Sequence, residues 1–191
     1  MVISLNGAYA YSGSKVLYNA TIPVSMGNEL LEDVLKIDKK ITVGTDKMRY
    51  CARRIEQSHS SFSVSWDFTK YLPNHFHYVD MHFDDCVTFE NLLRKYPDIR
   101  YQSYKDSDLI TILHKNVRKG RALEVVLREL DIPASQVVGF GDDDNDLDFL
   151  EICGTWVAME NATEKVKQKC SHICQSNEDN GVARWIEGNI L

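Results

Sequence analysis

The stretch Val137-Val138-Gly139-Phe140-Gly141-Asp142-Asp143-Asp144-Asn145-Asp146-Leu147 decides the fold. Its first half is an apolar run of the kind that makes a buried strand. Its second half is an acidic turn, and a helical pattern through Leu147, Phe149 and Leu150 follows. A strand that ends in carboxylates and flows into a helix puts hard oxygen ligands at the carboxyl edge of a parallel sheet. Open α/β sheets bind their ligands at that edge. Carboxylates this close repel one another unless a cation or a basic group neutralises them, and Mg²⁺ is the natural partner. Acidic residues in a first helical turn are also favoured by the helix dipole alone. The buried strand before the turn and the helix after it weigh toward a ligand site. A calcium loop of the EF-hand kind is a poor match, because Asp142–Asp146 lacks that loop's spacing and its bidentate Glu.

Outward from the turn, strands and helices alternate. Leu109–Leu113 is a strand-like run, Lys119-Gly120 opens a helix, and Ala122, Leu123, Val126, Leu127 and Leu130 share one face of it. After the acidic turn come a strand at Thr155–Met159, a helix at Ala162–Lys169, a strand at His172–Gln175 and a helix at Gly181–Ile186. This alternation predicts an α/β fold with a parallel sheet. Upstream, residues 2–5 read as a strand before Asn6-Gly7. A hairpin turns around Ser12-Gly13-Ser14, and a helix from Asn28 to Lys36 follows Pro23. Residues 41–108 mix short strand-like pieces with a helix at Phe89–Lys95.

Composition sets the bounds. The chain has 191 residues, of which 43% are hydrophobic and 26% charged, enough for a core in one domain or two small ones. A net charge of −6 and a pI near 5.5 give no basic surface for nucleic acid or anionic lipid. No secretory signal or membrane-length apolar stretch is visible, so a cytoplasmic protein without a membrane partner is expected. Five cysteines without a Cys-x-x-Cys spacing read as reduced core thiols; Cys170 and Cys174 would share a helix face without forming a metal site.

The motifs together resemble the haloacid dehalogenase (HAD) superfamily, in its Cof-type sugar-phosphatase branch with a type IIB cap, as found in Bacteroides. Gly141-Asp142-x-x-Asn145-Asp146 is similar to the fourth motif, and Lys119-Gly120-x-Ala122-Leu123 to the third. Val157-Ala-Met-Glu-Asn-Ala162 resembles the branch's Val-Ala-Met-Gly-Asn-Ala, Asn177–Val182 its Asp-Gly-Val ending, and Val2–Ala8 the Asn-Gly-Ala strand before the cap. The resemblance implies an incomplete HAD-like (Rossmannoid) parallel-sheet core at 1–21 and 111–191, with an inserted α/β cap domain at 22–110. It implies a Mg²⁺ ligand in Asp142, with Asn145 beside metal and phosphate. It implies that Lys119 neutralises the phosphoryl oxygens while Asp146 holds its ammonium group, and that Asn6 lies near the transferred phosphoryl. The substrate would be a small phosphorylated metabolite, sugar phosphates leading. These roles suit phosphoryl transfer, where positioning and charge neutralisation do most of the catalysis.

The family's first two motifs, Asp-x-Asp-Gly-Thr and a following Thr or Ser, would fall upstream of Met1. Asp106-Ser107-Asp108 and Asp84-Asp85 are poor substitutes, since the segments around them are polar and belong to the cap. The expectation is therefore a phosphatase by descent without turnover as given. The alternatives are a binding or assembly module, or one half of a split enzyme. An in-frame upstream Asp-x-Asp-Gly-Thr would favour a misplaced start, and a separate reading frame would favour the split form. Loss of two strands would bare the Val137–Phe140 edge. That edge is expected to pair with residues 2–5 or with a second chain, as a homodimer or by strand complementation.

In the cap, His75, His77 and His82 read as surface residues on a strand. Trp66, Phe68, Tyr71 and Phe76 read as core, and Arg53-Arg54 as a solvated pair.

Overall fold

The computed structural model describes residues 1–52, 63–68, 75–82, 86–104 and 107–191. Arg53, Arg54, Tyr71, Asp84, Asp85 and Asp106, named above, lie outside the described residues. The chain divides into two units, Met1–Tyr18 with Arg118–Leu191, and Asn19–Val117.

The first unit opens with three antiparallel strands, β1 (Val2–Ser4), β2 (Tyr9–Ser12) and β3 (Lys15–Asn19). β3 reaches one residue past the unit's end at Tyr18. The unit resumes with α3 (Lys119–Leu130), β10 (Val138–Gly141), α4 (Leu147–Leu150), β11 (Thr155–Met159), α5 (Glu164–Lys169), β12 (His172–Cys174) and α6 (Gly181–Asn189). β10, β11 and β12 form a parallel sheet, Val138 opposite Thr155 and Val157 opposite His172. Helices cover both faces of β10. A Cβ on Gly139 or Gly141 would meet Phe149, Leu150 or Asp146 on the α4 side. Phe140 instead meets the Trp185 ring of α6, 5.4 Å away between centroids. Val157, Ala158, Leu150 and Val166 are fully buried in this core.

Residues 2–4 do not pair with β10, contrary to the expectation. They pair with β2, Val2 opposite Tyr11 and Ser4 opposite Tyr9, because a hairpin partner a few residues away wins over a distant edge. Leu130, expected on the buried face of α3, is 47% exposed; the buried stripe is Gly120, Ala122, Val126 and Leu127. Cys170 and Cys174 share no helix, since α5 ends at Lys169 and Cys174 lies in β12. Cys51, Cys153, Cys170 and Cys174 are free thiols.

The second unit contains α1 (Val24–Ile37), β4 (Thr42–Gly44), β5 (Arg49–Cys51), β6 (Ser63–Ser65), β7 (Tyr78–His82), α2 (Cys86–Lys95), β8 (Ile99–Ser103) and β9 (Leu109–His114). Its six strands run in the order β6-β5-β4-β7-β9-β8. β9 pairs with both β7 and β8, so Thr111–Val117 belongs here and not with the α/β half. An apolar run such as Leu109–Leu113 reads the same way in either sheet, and only pairing partners assign it.

One sheet face, with Val43, Val79, Met81, Ile110 and Ile112, packs on Leu30, Leu31 and Val34 of α1 and Phe89 and Leu92 of α2. α1 buries these residues because they recur at helical spacing, and Pro23 starts it with extended dihedrals. Phe68 and Phe76 are core residues, 5% and 1% exposed, and Trp66 packs partly against them. The other face is polar around Asp80, which accepts a 2.6 Å bond from Thr111 Oγ1. Burial raises the Asp80 carboxyl above its ordinary value.

His77 departs from its reading as a surface residue. It is fully buried, with Nε2 2.8 Å from Asn19 Oδ1, because it immediately precedes β7 beside the core residue Phe76. Among the described residues no three His, Cys, Asp or Glu side chains form a metal cluster, and no helix is long and apolar enough to cross a membrane.

Truncating Phe76 to Ala should cost about 3–5 kcal/mol, read from the urea unfolding midpoint. Burial lowers the His77 pKa below its usual 6.5. Its neutral form is therefore favoured by folding, and stability is lost as pH falls below about 6.5, where the unfolded imidazole gains a proton first. Urea midpoints between pH 8 and 5 should fall more in the native protein than in His77→Gln.

Candidate functional site

The site grows from the end of β10, where one residue organises the turn. Asp146 is buried, 6% exposed. Its Oδ2 accepts backbone N–H bonds from Asp142 (3.0 Å) and Asp143 (3.2 Å), and its Oδ1 lies 2.5 Å from Lys119 Nζ. Lys119 Nζ also donates to Asn145 Oδ1 at 3.2 Å. One carboxylate thus closes the acidic turn and draws the first residue of α3 to it, while Lys119 offsets its buried charge.

The neighbouring acids have other tasks. Asp143 and Asp146 make a reciprocal capping box, each side chain accepting the other residue's backbone N–H, and Asp143 Oδ1 also accepts from the Asp144 N–H at 2.7 Å. Asp144 accepts from Thr163 Oγ1 (2.8 Å) and Lys165 Nζ (2.9 Å), which hold its pKa below the ordinary value. Asp142 is the carboxylate left to look outward, and Asn161 Nδ2 approaches its Oδ2 at 3.4 Å. Burial, then the charges of Asp146 and Asp143, push the Asp142 carboxyl above its ordinary value, with Lys119 opposing them.

On the opposite wall, Leu5, Asn6 and Gly7 all have positive φ, 53°, 56° and 87°. This left-handed turn is costly for Leu5 and tolerable for Asn6. Gly7 is required there. A Cβ would stand 2.5 Å from the Arg118 carbonyl oxygen and 2.6 Å from the Lys119 nitrogen. The close approach sets Asn6 and Lys119 on one cavity of about 360 Å³, lined also by Ile3, Ser4, Gly7, Leu123 and Phe149. α3 lacks a side-chain cap of its own at Arg118; Asp148 Oδ2 supplies one by accepting from Gly120 N–H at 3.1 Å.

The five residues singled out in the sequence therefore fall into two linked groups. Lys119, Asn145 and Asp146 are in direct contact, Asp142 is bound to Asp146 through its backbone N–H, and Asn6 shares a cavity with Lys119. Reading by motif missed Asp148, Asp143 and Thr163. Asp143 alone had a local signal, the capping-box spacing to Asp146.

A cation fits the donor set. Asp142, Asp143, Asp144 and Asp146 face Lys119 and Lys165 as their close basic partners, an excess of negative charge at the outward side of the turn. A single outward carboxylate suits Mg²⁺, which keeps several waters and takes few protein ligands.

Replacing Gly7 by Ala should destabilise the first unit by about 2–4 kcal/mol, since both the positive φ and the Arg118 backbone resist a side chain. Equilibrium denaturation would measure it.

Residues 1–186 match the haloacid dehalogenase-like hydrolase family. The chain is 35% identical over 79 residues to the 5-amino-6-(5-phospho-D-ribitylamino)uracil phosphatase YitU of Bacillus subtilis, covering 41% of this chain and 29% of YitU. It is 30% identical over 89 residues to a phosphoglycolate phosphatase of Methanothermobacter thermautotrophicus, 47% of this chain and 40% of that one. The alignments thus span well under half the length of these relatives. A Thermotoga maritima crystal structure superposes with a TM-score of 0.80 at 25% identity, over 97% of this chain and 74% of that one. A subclass IIB sugar phosphatase superposes with a TM-score of 0.75 at 18% identity, over 97% and 74%. With its paired α/β units and its acidic turn after β10, the chain belongs to the haloacid dehalogenase-like hydrolases and has the fold of their Cof-type phosphatases.

Proposed function

We propose that this chain carries the cation-holding and phosphate-holding part of a Mg²⁺-dependent phosphomonoesterase acting on small phosphorylated metabolites, sugar phosphates foremost. The observation that carries the reading is the Lys119 ammonium fixed between Asp146 and Asn145, on the cavity that Asn6 also lines. Asp142 would hold the metal, which when bound polarises phosphoryl oxygens and offsets their charge.

The residues' own work is positioning. Asp146 keeps Lys119 from turning into solvent, so its positive charge is aimed before substrate arrives and no reorganisation is needed later. Asn145 orients the same ammonium, and the left-handed Leu5–Gly7 turn presents the Asn6 amide toward the cavity. The activities of the relatives, on a phosphoribityl compound and on phosphoglycolate, support a small phosphomonoester. The nucleophilic carboxylate that such hydrolysis needs has no counterpart motif in these residues. We therefore expect no turnover by the chain alone, with a binding module or half of a split enzyme as the alternative. A cytoplasmic setting is part of the same proposal.

Titration calorimetry with Mg²⁺, run beside phosphate release from p-nitrophenyl phosphate, tests it. Mg²⁺ should bind, with affinity falling at least tenfold in Asp142→Ala, while phosphate release stays at background. Equal Mg²⁺ binding by both proteins would sink the assignment of Asp142. Turnover abolished by the same substitution would place a nucleophile within these residues after all.

A further inference from the structure

Lys119 is gripped at two points by the segment that forms α4. Its ammonium lies against Asp146, the residue at the N-terminal boundary of α4. The backbone N–H that follows it, that of Gly120, donates to Asp148 Oδ2 at 3.1 Å. α4 is a firm base for both contacts, since Leu147 and Leu150 are 7% and 0% exposed in the core shared with Val157 and Ala158. The two helices also meet closely at this point. A Cβ on Gly120 would stand 2.4 Å from the Asp148 carbonyl oxygen and 2.8 Å from Ile152 Cδ1.

Helix capping accounts for only half of Asp148. α3 begins without a side-chain cap at Arg118 and without an acidic residue in its first turn, and Asp148 supplies both from another helix. A cap needs one oxygen, which Asn, Ser or Thr would also bring. The second oxygen, Asp148 Oδ1, is buried and has no hydrogen-bond partner among the described residues. A buried acceptor left unmade works against stability. What the carboxylate adds is charge, which strengthens its hold on the Gly120 N–H and faces the positive end of α3. The residue gives up one hydrogen bond for a tighter grip at the point where Lys119 leaves the backbone.

We propose that Asp148 is a positioning residue for Lys119, fixing the backbone from which the lysine springs while Asp146 fixes its ammonium group. The lysine stem is long and flexible, so a contact at its tip alone leaves the charge free to wander with the helix. A misplacement of about 1 Å in a charged group is enough to cost much of its effect. With root and tip both tied to α4, Lys119 and Asp146 keep one spacing however α3 moves. The inference rests on the phosphoryl-site reading above only for the task that the ammonium then performs.

Competitive acetylation of the folded full chain, read residue by residue by mass spectrometry against its other lysines, tests the proposal. Lys119, whose side chain is 28% exposed and bonded to Asp146, should be among the slow ones. Asp148→Ala should speed its acetylation by about fivefold or more, as local opening frees the amine. Asp148→Asn keeps an oxygen for the Gly120 N–H and should recover part of the protection. Asp148→Ser, whose oxygen falls one atom short, replaces the alanine variant if that one does not fold. Val166→Ala, which opens the buried core beneath α5, serves as a variant destabilised elsewhere in the same unit, matched by its urea midpoint. It should leave Lys119 slow. Unchanged acetylation in Asp148→Ala overturns the proposal, as does an equal rise in Val166→Ala or an asparagine variant as fast as the alanine one. The readout uses neither Mg²⁺ nor phosphate, so the positioning role and the phosphoryl site can fail separately.

Discussion

The contact between Lys119 and Asp146 is the interaction on which the α/β half depends. A buried carboxylate is tolerable only when each oxygen is satisfied, and here one oxygen takes two backbone N–H groups while the other takes the ammonium. The first set of bonds shapes the turn after β10. The second ties that turn to α3, which contacts β1 and β2 and is itself capped from α4 by Asp148. Electrostatics and tertiary packing therefore converge on the same few atoms.

Around that pair the four acidic residues of the turn share out their work. Asp143 caps, Asp144 reaches across to the segment before α5, and the Asp142 carbonyl oxygen accepts the Thr163 N–H at 2.9 Å. The turn is braced from several directions, and a dense row of negative charge is tolerated because Asp143, Asp144 and Asp146 each accept hydrogen bonds from neighbouring N–H, hydroxyl or ammonium groups. The second unit solves its problem differently. It relies on amphipathic helices against one sheet face, with Asp33 of α1 held well below the usual carboxylate range by Lys36, Lys95 and the Tyr96 hydroxyl.

What the sequence made legible was local. The acidic turn, the helix opened by Lys119 and the strands after Gly141 each have a signature within a few residues, and the structure brings those residues together. What stayed hidden was set by long-range pairing. The Leu109–His114 strand carries no mark of which sheet it joins, and His77 looks like its exposed neighbour His75 until burial is known. Asp148 gave no signal either, because the helix N–H that it caps, that of Gly120, lies 28 residues earlier. Residues 2–4 pair with β2 for a related reason, since proximity along the chain outweighs the attraction of a distant apolar edge.

The glycines of β10 bear on how the protein can change over time. A methyl group on Gly141 would sit 2.8 Å from the Cβ of Asp146, and one on Gly139 would sit 2.7 Å from the Cys153 sulfur. A side chain at Gly141 would push on Asp146, the Lys119 partner, and one at Gly139 on Cys153, Leu150 and Phe149 behind the strand. Mutational drift in this strand is constrained by the want of two methyl groups, quite apart from any demand made by a substrate.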